Sequence, residues 1–158
     1  MRRQGGYAYL FLLFTLALLS IAALALAHLD HLAVRRADEA ELRRIGAEYG
    51  RALAAYHDAA EPHVYPASLD ALLSDRRGGI ERRHLRKVYF DPVTRTRDWG
   101  LLVEGGQVVG VHSLSERAPI KVAGFAPGEI GFEGAQRYTE WVFRPLHAPV
   151  VAGATPAR

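Results

Sequence analysis

The sequence predicts an α+β fold in which one long N-terminal helix packs on a small antiparallel β-sheet. Three observations predict it. An apolar run of 21 residues extends from Tyr7 to Ala27. Leu42, Ile45, Tyr49, Leu53 and Tyr56 then recur at helical spacing. Further on, two apolar, β-branched runs flank Gly105-Gly106, a two-residue hairpin signal.

The apolar run comes first. Only Thr15 and Ser20 carry hydroxyls on aliphatic side chains there, and no charge falls between Arg3 and Asp30. At 1.5 Å per residue the run is about 31 Å long, which matches the hydrocarbon core of a bilayer. A helix satisfies its own backbone groups, so such a segment is stable in lipid. Arg2 and Arg3 precede it, and basic residues favour the cytoplasmic side. Arg35 and Arg36 follow the span, offset by Asp30, Asp38, Glu39 and Glu41. The expected orientation is N-terminus inside and C-terminal domain outside.

The helix is expected to continue past the span to about residue 60, because no proline or turn cluster occurs before Glu61-Pro62. Residues 28–60 are amphipathic. The stripe from Leu42 to Tyr56, with Ala52 at its edge, faces one way, while Arg44, Arg51 and Asp58 face the other. Glu41–Arg44 and Glu48–Arg51 are spaced to pair on the wet side. Gly46 and Gly50 mark either a close approach of the sheet or a break. Residues 61–147 form the globular part. Ser68 is a suitable N-cap for a short helix carrying Leu69, Leu72 and Leu73. Val88-Tyr89-Phe90 reads as the start of an extended segment and Asp91-Pro92 as a turn. Strands are expected at Trp99–Glu104, Gln107–Ser113, Ile120–Phe125 and Tyr138–Phe143. Residues 148–158 read as a flexible tail. A net charge of +3, from 20 basic and 17 acidic residues, is not the profile of a dedicated nucleic-acid binder. The absence of cysteine excludes thiolate metal sites and thiol catalysis.

Two regions resemble the type IV pilin-like proteins, specifically pseudopilins of type II secretion. One is a short basic leader ending in glycine, Arg2-Arg3-Gln4-Gly5-Gly6, followed by Tyr7-Ala8-Tyr9-Leu10 and the apolar helix. The other is the ordered set Tyr65-Pro66 with Leu69 and Leu72, Tyr89-Phe90-Asp91-Pro92, Asp98-Trp99-Gly100 and Gly110-Val111-His112-Ser113, similar to the major-pseudopilin group. The resemblance implies a pilin-like fold and a non-enzymatic assembly role supporting protein export. It implies an inner-membrane anchor and a periplasmic domain. Residues 1–6 would be removed by a prepilin peptidase between Gly6 and Tyr7, and Tyr7 would be N-methylated. The partners implied are membrane lipid, other pilin-like subunits, the peptidase and a secreted protein. The chain departs from the pattern at the fifth mature position, where the family carries a glutamate and this chain has Phe11. That departure fits a tip-like, minor or accessory subunit, or a membrane-anchored periplasmic module that binds a protein or DNA partner and never polymerises. Tyr7 also stands where phenylalanine is usual. Two further readings of the apolar run stay open. It can be an uncleaved anchor, or a secretory signal peptide cut after Ala25-Leu26-Ala27.

Other features carry less chemistry. Arg76, Arg77, Arg82, Arg83, Arg86 and Lys87 form a basic cluster with Glu81 inside it, readable as a patch for an anionic partner or as a solvated surface. Nucleic acid is not expected as a partner. Seven histidines are present, and His28 and His31 lie one helical turn apart. Without a carboxylate they read as interfacial polar residues, so no metal site is expected. Ser115, Glu116 and Glu129 are too sparse for the six to eight oxygens of a calcium site. Asp91 and Asp98 bracket Arg95 and Arg97, whose charge opposes a cation. No cofactor is expected, and Ser113 and Ser115 beside His112 form no recognisable triad. Trp99 and Trp141 read as core anchors.

Overall fold

The structure, a computed structural model, describes residues 5–145. Residues 1–4 of the expected leader and the expected tail at 148–158 lie outside the described residues. Helix α1 runs from Gly5 to Asp58, close to the expected end at residue 60. The chain divides into two units at Ala37/Asp38. In the described part of the first unit there is only helix. Its leucine- and alanine-rich sequence favours that state. The hydroxyls of Thr15 and Ser20 donate to the carbonyls of Phe11 (3.0 Å), Leu12 (2.9 Å) and Leu16 (2.9 Å), one turn back.

The second unit begins with the amphipathic half of α1. Leu42, Ile45, Tyr49, Ala52, Leu53 and Tyr56 are all buried, so the expected stripe is the helical side of the core. Arg44 on the opposite face holds Glu41 at 2.7 Å and also pairs with Glu48, which therefore does not take the expected Arg51. Such exposed pairs contribute little, so the buried stripe decides the helix.

The hairpin forms as the glycine pair predicts. Strand β1 spans Gly100–Glu104 and strand β2 spans Gln107–His112, antiparallel, with an irregularity between Leu102 and Val103. Gly105 and Gly106 have φ of 58° and 79°, the positive values that a two-residue turn of this hand needs. Val108 and Val111 of β2 are fully buried with the helix stripe in one core. Gly100 pairs with His112 across the ladder, and a side chain at Gly100 would collide with the His112 ring.

The two further expected strands are corrected. Ile120–Phe125 is irregular. The Ile120 and Lys121 amides donate to the Glu39 carboxylate of α1 at 2.7 and 3.0 Å, and the Tyr138 hydroxyl donates to it at 2.7 Å. Those amides are therefore not in a ladder. Tyr138–Glu140 is a 3-10 turn, and only Phe143 reaches the sheet, through a single bridge to Val111. Alternation in that segment comes from Tyr138, Trp141 and Phe143 turning into the core, without a strand. Val88–Phe90 is not a strand either: the Tyr89 amide donates to the Tyr49 hydroxyl at 3.1 Å and its carbonyl accepts the Trp99 indole at 2.9 Å. The short helix is a 3-10 turn at Leu69–Leu72. Ser68 sits at its N-cap with extended backbone but makes no side-chain cap bond. The result is mixed α+β, with a two-stranded sheet and a largely irregular cover.

Trp99 and Trp141 anchor the core as expected. Phe125, Phe132, Tyr138 and Phe143 surround this second tryptophan or its neighbours at ring distances of 5.0 to 5.8 Å. Gly46 is no break: a Cβ there would fall on the Phe143 ring. Gly46→Ala should gain about 1 kcal/mol of helix propensity yet lose about 1–3 kcal/mol to overpacking. The expected net result is a less stable protein in urea unfolding of the full chain in detergent micelles. A more stable Gly46→Ala protein would show that the close approach is slack.

Candidate functional site

The apolar stem is the first candidate. From Tyr7 to Leu24 the mean hydropathy is 2.2 and none of the side chains is buried in the fold. This is the one helix among the described residues long and apolar enough to cross a membrane. Tyr7 is 83% exposed and Phe11 is 70% exposed, so the fifth position after Gly6 presents a bare ring. Gly6 lies in the first turn of α1.

The basic cluster is not one array. Arg77 is turned inward. Its guanidinium donates to both Asp75 oxygens at 3.0 and 2.9 Å and lies over the Tyr56 ring at 3.6 Å. Asp75 also accepts from the Arg77 amide at 3.1 Å and faces His84 Nε2 at 3.0 Å, with its side chain 3% exposed. The Arg77 guanidinium holds the Asp75 carboxyl well below the usual carboxylate range, against the burial that opposes it. Arg82 donates to the Ala59 carbonyl at 2.6 Å and Arg83 to the Leu73 carbonyl at 3.2 Å, while Arg76 stands 3.7 Å from Glu81. Lys87 lies 5.3 Å from the centre of the Tyr89 ring. Arg86 lines a cleft of about 610 Å³ with Arg44, Glu48, Arg51, His84 and Tyr89. In this cleft Arg44 is already committed to two carboxylates. The structure thus splits the six residues into Arg77, clamped on the buried Asp75, and a looser exposed set.

The acidic candidates have internal donors. Glu129 clamps Arg43 at 2.9 Å, and Glu116 holds Arg137 at 2.7 Å. Asp91 is fully buried and accepts from the Val93 amide (2.8 Å) and from the Ser113 hydroxyl (2.6 Å). Ser113 thus donates straight to a carboxylate, with no histidine between them. His112 turns its Nδ1 to the Ser113 carbonyl at 3.0 Å. Burial pushes the Tyr49 phenol up to about 12, against the opposing hydrogen bond from the Tyr89 amide.

One grouping escaped the sequence reading. His57, Asp58 and His63 each place a potential metal-ligating atom within 4.8 Å of the others. His31 is exposed, and His28 lies in a stretch whose side chains the structure does not describe. The H-x5-H spacing straddles the end of a helix, where no fixed periodicity brings side chains together, so spacing alone did not expose it.

No family model, no curated protein and no solved structure matches this chain.

The Asp75 clamp yields a measurable outcome. A carboxylate with a lowered folded pKa stabilises above its ordinary value of about 3.9, and that contribution is lost as pH falls through the folded value. Asp75→Asn should cost roughly 1–3 kcal/mol near neutral pH, because it removes the charge that the Arg77 guanidinium and His84 face. It should also flatten the decline in stability below about pH 4. Urea midpoints of both proteins across that range check it, and parallel acid limbs would exclude the clamp.

Proposed function

We propose that this protein is a pilin-like assembly subunit, of the pseudopilin type used in type II secretion, held in the inner membrane by α1 with its C-terminal unit in the periplasm. The observation that carries the reading is the unbroken helix Gly5–Asp58. It passes from an apolar, uncovered segment to a stripe buried within the second unit. A stem of this kind rests in lipid and leaves it by entering a bundle of similar helices, which exchanges lipid contacts for helix contacts. The work is mechanical and no catalytic group is required. Arg2-Arg3 and the Gly6-Tyr7 junction support insertion with the N-terminus inside, followed by cleavage and methylation at Tyr7.

A second reading is favoured by Phe11. A glutamate at that position would place a charge in lipid that only a partner can neutralise. A phenylalanine leaves no such drive, so the protein can also act as an anchored periplasmic binding module that does not polymerise. The exposed arginines would then offer a surface to an anionic protein.

Mass spectrometry of the mature N-terminus tests the processing. A methylated Tyr7 is expected, and Gly6→Leu should leave a full-length membrane protein starting at Met1. Normal trimming of Gly6→Leu in cells carrying the peptidase, or a native start at His28, would defeat the reading. Crosslinking from the stem separates subunit from module: adducts with other pilin-like helices are expected for the first.

A further inference from the structure

The C-terminal end of α1 brings three donors together. His57 and Asp58 close the helix, and His63 returns to them from the following turn. His57 Nδ1 and Asp58 Oδ1 are 2.8 Å apart, a hydrogen-bond separation that a shared cation would widen. His63 Nδ1 lies 3.0 Å from the His57 carbonyl, the bond that typically orients a metal-ligating imidazole and leaves Nε2 as the ligand. The rings are held in a stack, with His57 4.6 Å from Tyr65 and 5.3 Å from His63. One ligand atom from each of the three residues falls within 4.8 Å of the others. Around a zinc ion with bonds of about 2.0–2.1 Å the donors stand roughly 3.3 Å apart. Adjusting to that spacing takes small side-chain movements, within reach of the exposed His63 and Asp58.

We propose that His57, Asp58 and His63 form a site for a divalent transition-metal ion of the zinc class. Two imidazoles and one carboxylate suit zinc, copper or nickel, and a hard oxygen-only cation such as calcium much less. Three protein ligands leave a fourth position to water or to a group from a partner. The helix dipole supplies little of the attraction, because Arg77 and Arg82 already take the carbonyls of Tyr56 and Ala59. The three donors carry the site. A bound ion ties the last turn of α1 to the segment that follows it, and this stands independently of the assembly reading.

The test is titration of the full chain, metal-free in detergent micelles, with zinc chloride, read by calorimetry and by metal content after dialysis. One zinc per chain is expected, with binding weakened at least about tenfold in His63→Ala and in His57→Ala. His31→Ala should bind as the native chain does. Cobalt chloride should give the visible bands of a low-coordinate site in the native chain and lose them in His63→Ala. His63 is exposed, so this variant keeps the fold, and its circular dichroism should match the native protein. Zinc uptake unchanged in His63→Ala, or no zinc bound at about 1 mM, would overturn the proposal.

Discussion

The fold depends on the burial of one face of α1 in the second unit. A two-stranded hairpin is at best marginal in water by itself, and no other regular sheet is present among the described residues to stabilise it. Leu42, Ile45, Tyr49, Leu53 and Tyr56 supply the missing wall. At about 25 cal/mol per Å² of apolar surface removed from water, each of these large side chains contributes on the order of 1.5–3 kcal/mol. No exposed ion pair on the other face approaches that. The helix is thus a structural half of the domain as well as its connection to the apolar segment.

Irregular cover needs other organisation, and buried carboxylates supply it. Glu39 gathers the amides of Ile120 and Lys121 and the hydroxyl of Tyr138. Asp91 gathers the Val93 amide and Ser113. Asp75 gathers Arg77 and faces His84. Each satisfies backbone or side-chain donors where a longer sheet would otherwise have done so. A buried carboxylate is costly unless fully hydrogen-bonded, which makes these anchors intolerant of substitution. They also explain why the basic stretch from Arg76 to Lys87 cannot be counted as six surface charges.

What the sequence makes legible follows from range. The helix stripe repeats within a few residues and the hairpin turns on adjacent glycines, so both could be read directly. The Glu39 contacts span 81 to 99 positions, and no local pattern reports them. The alternation at Tyr138–Phe143 looked like a strand because apolar residues at every second or third place serve a 3-10 turn plus one bridge equally well. Gly46 was ambiguous until Phe143 was found against it. His28 and His31 stand at helical spacing, whereas the grouping at His57, Asp58 and His63 crosses a helix end. The proposed cleavage at Gly6-Tyr7 would be a chemical event that neither periodicity nor packing records.

The internal bonding of Thr15 and Ser20 has a consequence for the stem. With both hydroxyls folded back on their own carbonyls and a phenylalanine at position 11, the segment from Tyr7 to Leu24 is apolar on every side. In a bilayer, so even a surface would set no preferred azimuth. Any angular preference against a neighbour would then have to come from residues outside that segment.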